Sequence, residues 1–201
     1  GIDGLAASMG ILIFAICGIL LSIYGDHFYY TLSFSMTGVL AGYLRFNFSR
    51  NKKMLMGDTG SMLIGFLTGI ILLRSFNHLI QGEYGTSGYF QPWAIFILVA
   101  YPLFDMTRVF IMRIMSGASP FRADRLHLHH LIIDRFGYNH IQATGILILS
   151  NLAISAFTFL FSGLISPEGF LLYYLILFGI YYLIANLISS FKPVGSRWMN
   201  T

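Results

Sequence analysis

Residues 5–24 read LAASMGILIFAICGILLSIY, a run without a single charged side chain. A helix rises about 1.5 Å per residue and the hydrocarbon layer of a bilayer is about 30 Å thick, so about 20 such residues are what a crossing requires. Five further apolar segments follow at 28–44, 61–80, 92–112, 141–163 and 169–191. Polar or turn-forming breaks separate them: Gly25-Asp26-His27, Arg45 to Gly60, Gln81 to Gln91, Arg113 to His140 and Ser166-Pro167-Glu168. Spacing and length predict an all-α, polytopic membrane protein with about six transmembrane helices, forming a single transmembrane domain over residues 1–201. No room is left for a separate soluble domain.

Composition agrees. Hydrophobic residues make up 56% of the chain and charged residues only 10%, with a mean hydropathy of +0.73; a soluble domain is about one quarter charged. The net charge of +4 does not point to nucleic acid, because the aromatic residues lie inside apolar runs instead of alternating with the basic ones. Topology accounts for the charge. With the start in the cytoplasm, the second, fourth and final connections are cytoplasmic and hold Arg45, Arg50, Lys52, Lys53, Arg113, Arg122, Arg125, Arg135, Lys192 and Arg197 of the 12 basic residues, as the positive-inside rule requires. Arg108 sits near the same face, and Arg74 lies toward the other side. The single cysteine, Cys17, lies within an apolar run, so no internal disulfide can form and the residue reads as a small buried hydrophobe. The first residues, Gly-Ile-Asp-Gly, have neither the basic start nor the cleavage site of a signal peptide, and read as the trimmed start of a longer chain.

The cytoplasmic connections carry clusters where the external ones carry isolated acids. Met56-Gly57-Asp58-Thr59-Gly60-Ser61 stands where a basic loop turns into the third span. Asp58, Thr59 and Ser61 are suited to capping that helix. The same turn offers free N–H groups to a phosphate and an acid that can hold Mg²⁺ bridging to it. Ser119-Pro120-Phe121-Arg122-Ala123-Asp124-Arg125-Leu126-His127-Leu128-His129-His130 lies in the fourth connection. Its arginines and histidines suit phosphate oxygens; structural zinc is disfavoured, since no acid or cysteine has a familiar spacing, and a basic loop against anionic lipid is the bland alternative. Asp3, at the start, is by itself a turn acid at a helix entry. Asp105, three residues before Arg108, predicts a helical i, i+3 pair, and an acid late in a span is otherwise a functional candidate.

Together these motifs resemble the polyprenyl-phosphate N-acetylhexosamine-1-phosphate transferases of glycosyltransferase family 4 type, whose members start O-antigen, enterobacterial common antigen and teichoic acid synthesis. Gly1-Ile2-Asp3-Gly4-Leu5-Ala6 resembles the end of the family's Asn-x-x-Asp-Gly-x-Asp-Gly-Leu-Ala; Gly57-Asp58-Thr59-Gly60-Ser61 resembles its Gly-Asp-x-Gly-Ser; Asp124-Arg125-Leu126-His127-Leu128-His129-His130 resembles its Asp-Arg-x-His-x-His-His loop. Two departures stand out. The family's Asp-Asp-x-x-Asp motif has no counterpart, since no two acids are adjacent, so the resemblance implies the C-terminal part of a longer transferase. Ser49-Arg50-Asn51-Lys52-Lys53 occupies a stretch where relatives often carry a Pro-Ala pair.

The resemblance implies transfer of an N-acetylhexosamine 1-phosphate from a UDP-sugar to polyprenyl (undecaprenyl) phosphate at the cytoplasmic face of a bacterial inner membrane, with release of UMP. It assigns Asp58 and Asp3 to catalysis, Asp58 to the metal, and Arg125, His127, His129, His130 and Asp124 to the substrate. Mg²⁺ is the implied cofactor, with Mn²⁺ as the alternative; the implied partners are polyprenyl phosphate, a UDP-N-acetylhexosamine and membrane lipids, with assembly as a homodimer left open. A transporter is the rival from another class and predicts ionisable residues at the bilayer midplane. A non-catalytic relative that binds nucleotide sugar is the third.

Overall fold

The structure, a computed structural model, describes residues 3–49, 51–81, 91–121 and 125–192. Its long helices are α1 (Leu5–Ile23), α2 (His27–Asn47) and α3 (Gly57–Gln81), followed by a 3-10 stretch, Pro92–Val99, that runs into α4 (Ala100–Met115). A short helix, α5 (Leu128–Phe136), precedes α6 (His140–Phe161) and α7 (Pro167–Ser190). Among the described residues, five stretches are long and apolar enough to cross a membrane: α1, α3, Pro92–Met115, His140–Leu164 and α7. The chain is thus a multi-pass membrane protein. The remaining apolar segment is α2, whose 21 residues suffice in length, but its tyrosines, serines and threonines leave it less apolar than the others.

One core cluster joins the first half: Phe14, Cys17 and Leu21 of α1 meet Leu40 of α2, Ile71 and Leu79 of α3, and Ile95 and Leu98 of the 3-10 stretch. Cys17 is fully buried there, as its setting predicts. A second cluster draws α5 (Leu128, Ile132) against Ala143 and Leu147 of α6 and Ala185 of α7, with Leu5 and Tyr101 at its edge. The faces of α7 that carry Leu171, Leu172, Leu175, Leu183 and Leu187 stay exposed, which suits a helix turned toward lipid.

Pro102 has no N–H to give to the carbonyl four residues back, at Leu98. An unpaired carbonyl is expensive in hydrocarbon, and Asn151 of α6, itself buried, donates its Nδ2 to Leu98 O at 3.1 Å. A polar residue within an apolar span is accounted for by a proline on another helix.

At one end of the bundle Asp26, between α1 and α2, accepts from Arg74 Nε at 2.6 Å and His78 Nε2 at 2.8 Å. Arg74 lies over the Tyr29 ring, 5.3 Å from its centroid. The other end carries the motif residues.

Candidate active site

The loop after α2 folds back on the helix that precedes it. Buried Asn47 donates Nδ2 to Met54 O at 2.8 Å and to Tyr43 Oη at 2.7 Å, and Tyr43 Oη donates in turn to Met54 O at 3.3 Å. This turn carries Lys53 to Asp3, where Lys53 Nζ meets Oδ2 at 2.7 Å. His140, the first residue of α6, reaches the same oxygen through Nδ1 at 3.0 Å, and Thr144 Oγ1 donates to the Asp3 carbonyl at 2.9 Å. Burial pushes the Asp3 carboxyl up, but the hydrogen bonds from Lys53 and His140 outweigh it and hold the group below its ordinary range. Gly4 makes this start compact: with φ +77°, a Cβ there would meet Phe48 Cζ at 2.2 Å.

Gly57, at φ +66°, opens α3, so Asp58 falls in its first turn. Ser61 Oγ donates to Asp58 O at 2.9 Å, a bond inside the first turn that caps none of its free N–H groups. The Asp58 side chain is exposed, and no hydrogen bond or ion pair to its carboxylate is found among the described residues. A cleft of about 560 Å³ is lined by Asp3, Gly4, Tyr43, Asn47, Asp58 and Ser61, with Tyr101 and Pro102 of α4 at its margin. The two motif acids therefore face one space.

The histidine motif is anchored one turn further along α4. Asp105, buried, accepts from His127 Nδ1 at 2.8 Å through Oδ2, and from Leu128 N at 2.9 Å and Tyr181 Oη at 2.8 Å through Oδ1. The predicted Asp105–Arg108 pair is present but long, at 3.7 Å; fully buried Arg108 instead donates to Leu126 O and, at 3.1 Å, to Met112 Sδ. Arg113 similarly holds Pro120 O. These two arginines shape the loop from behind.

Within the motif the side chains divide. His129 is buried, and burial, followed by the neighbouring His130 charge, holds its ring at about 3. It is neutral across the physiological range, able to offer an N–H or a lone pair but no charge. His130 is shifted down as well, by burial and then by Arg125. The rings of His127 and His129 are stacked, 11° apart in plane with centroids at 5.5 Å. Arg125 forms a two-armed pair with Asp134, Nε to Oδ2 at 3.2 Å and Nη2 to Oδ1 at 2.8 Å, which raises the guanidinium further. Asp124 and Arg122 lie outside the described residues. Among the described residues no group of three or more His, Cys, Asp or Glu side chains is arranged to hold a metal ion.

Residues 1–76, which contain Asp3 and Asp58, match the model of glycosyl transferase family 4. Relatives extend the match. The decaprenyl-phosphate N-acetylglucosaminephosphotransferase of Mycobacterium leprae is 35% identical over 152 residues, covering 70% of this chain and 38% of its own. The undecaprenyl-phosphate alpha-N-acetylglucosaminyl 1-phosphate transferase of Escherichia coli K12 is 34% identical over 153 residues, covering 75% and 40%. The chain is similar to glycosyl transferase family 4 in residues 1–76 and to these transferases over 70–75% of its length. It spans about 40% of the length of these curated relatives. No solved structure matches it. The transporter reading is not favoured: the relatives are named as transferases, and buried Asp105 and Arg108 are taken up by the anchoring of a loop.

Several partners were invisible to motif reading. Lys53 and His140 on Asp3, Asp134 on Arg125 and Tyr181 on Asp105 belong to no motif. Only Asp134, on the helix that the histidines open, had a local signal: an acid on the same short helix as the motif.

Proposed function

We propose that the protein of which this chain is part transfers an N-acetylhexosamine 1-phosphate from a UDP-sugar to polyprenyl phosphate, releasing UMP, at the cytoplasmic face of the bacterial inner membrane. One observation carries the reading: Asp3 and Asp58, from motifs far apart in sequence, line one cleft in a chain similar to this family. The basic residues gathered at that end support its cytoplasmic placement.

In the reaction an oxygen of the lipid phosphate attacks the phosphorus that bears the sugar. The new P–O bond forms as the bridging P–O bond to UMP breaks, and the electron pair leaves with UMP. Charge spreads over the phosphoryl oxygens, so positioning and fixed positive charge are what the protein must supply. Mg²⁺, or Mn²⁺ in its place, neutralises that charge when bound. Asp58 fits as its holder: Mg²⁺ takes one or two carboxylates and leaves its other positions to phosphate and water, and the Asp58 carboxylate faces the cleft uncommitted. Asp3, its Oδ2 engaged by Lys53 and His140, positions these two side chains toward the diphosphate. The loop of His127, His129 and His130, with Arg125 and Asp124, holds the donor.

An apolar cavity of about 330 Å³ lies between α4, α6 and α7, and Tyr101 lines both it and the cleft. A lipid with its phosphate in the cleft can lay its first prenyl units there. The test is Asp58→Asn in membranes supplied with UDP-N-acetylglucosamine and undecaprenyl phosphate: divalent-dependent UMP release should fall by about 10²-fold or more with insertion unchanged. Release near the wild-type rate removes Asp58 from the site.

A further inference from the structure

We propose that Asp105 is a positioning residue that fixes the His127 ring with Nδ1 protonated and Nε2 presented to the phosphoryl group being transferred. The proposal rests on the transferase reading above for the identity of that group, but the ring's orientation follows from geometry alone.

A carboxylate only accepts hydrogen bonds, so the 2.8 Å contact from His127 Nδ1 to Asp105 Oδ2 places the proton on Nδ1. The second ring nitrogen is thereby defined as the working one. His127 keeps 31% of its side chain exposed, and with Nδ1 turned inward the exposed edge is the opposite one.

The chain on both sides of His127 is pinned to α4. Leu126 O is held by Arg108, and Leu128 N by Asp105 Oδ1 at 2.9 Å. Tyr181 of α7 steadies the same carboxylate oxygen at 2.8 Å. The His129 ring, stacked on His127 at 11°, limits rotation about the remaining axis. Three elements that share no motif, α4, the start of α5 and α7, therefore converge on one imidazole. Helix capping of α5 would need only the bond to Leu128 N. The bond to His127 is additional, and it uses the other carboxylate oxygen.

The experiment uses the full-length protein in lipid nanodiscs, with ¹⁵N-histidine spectra to read the tautomer and steady-state kinetics to read transfer. Wild type should show His127 protonated at Nδ1. In Asp105→Asn the backbone N–H of Leu128, which can only donate, claims the amide oxygen and leaves the Nδ2 donor facing Nδ1, so the Nδ1 proton signature should disappear. The kcat should fall by about 10²–10³-fold while KM for the UDP-sugar changes less than about threefold, because the contact acts on charge that develops in the transition state. If Asp105 acts through His127, D105N/H127Q should be no slower than H127Q alone within about threefold, since residues that work as a unit are not additive. Tyr181→Phe should keep the tautomer and lose less than about tenfold in kcat.

A wild-type ring with unprotonated Nδ1 overturns the proposal, and that spectrum decides the orientation even if D105N fails to insert. Multiplicative losses in the double variant, or kcat within threefold of wild type in D105N, overturn it equally. Absence of any transfer by wild type would instead sink the transferase reading and leave the tautomer result to stand on its own.

Discussion

Replacing Asp26 by Asn should separate stability from activity, because the Asp26 cluster and the candidate site occupy opposite ends of α3. Asp58 and His78 are 20 residues apart on that helix, about 30 Å along its axis. The Asp26 side chain is 9% exposed and takes both partners on one oxygen, Arg74 at 40% exposure and His78 at 20%. A hydrogen bond to a charged group is worth about 1.5–3 kcal/mol. Arg74 is open enough to solvent that its share falls to about 1 kcal/mol or less, and Asn retains an acceptor, so the expected loss is about 1–3 kcal/mol. Equilibrium unfolding in detergent micelles measures it. Burial pushes the Asp26 carboxyl up, but the bonds from His78 and Arg74 hold it below the ordinary value of 3.8. A group with a depressed folded pKa contributes stability above its unfolded pKa and loses it as pH falls through the folded one. The gap between wild type and D26N should therefore be full above about pH 5 and close as the pH falls below 3.8. UMP release should not change. A gap under about 0.5 kcal/mol at neutral pH, or one that persists in strong acid, would refute the reasoning, as would a large loss of kcat.

Two further outcomes concern the candidate site. Gly4→Ala combines a left-handed backbone with a Cβ placed 2.2 Å from Phe48 Cζ and 2.4 Å from Cε1, so it should cost about 2 kcal/mol or more; unfolding within about 0.5 kcal/mol of wild type would show that Phe48 gives way freely. Lys53→Ala removes the closest donor to Asp3, so the Asp3 carboxyl should rise toward 3.8 and the acid limb of UMP release should move to higher pH. An acid limb that does not move would mean that Asp3 is not a group whose charge the reaction needs.

Crossing segments were legible because lipid imposes a length and an apolarity that a sequence cannot disguise. The segment 92–112 became a helix that starts with a 3-10 stretch; Pro102 marks the bond to Leu98 O that the backbone cannot make, but the compensating donor, Asn151, lies 49 residues further on and gives no local sign. Helix α5 was not anticipated: its nine residues begin at Leu128 on a cap supplied by Asp105, which stands on another helix. The motif acids Asp3 and Asp58 could be picked out from the residues beside them. Their environment could not, because Lys53 and His140 reach Asp3 across separations of 50 and 137 residues. Reading the histidines as one group concealed a division that only burial reveals. His127 is held by a carboxylate, His129 is neutral and enclosed, and Arg125 is already paired with Asp134.

What brings such distant residues together is parity of crossing. Asp3 precedes α1, Asp58 follows α2 and His127 follows α4, so an even number of the bundle's long helices, with α2 counted beside the crossing stretches, separates each pair and all three return to the same end. Asp26, after one long helix, and Arg74 and His78, at the close of the third, are separated from them by odd numbers and meet at the other end. Parity fixes the end but not the distance. Within the end, the local devices decide: the Asn47 turn that carries Lys53 inward, the Asn139–Gln142 capping box that starts α6 with His140 beside Asp3, and the Asp105 carboxylate that starts α5. Each acts at a helix terminus, where backbone groups lack helical partners and polar side chains can be held at low cost. In a bundle whose spans are committed to lipid, those termini are where a phosphate chemistry can be assembled, and a change at any of the three devices should disturb the site while leaving the spans in place.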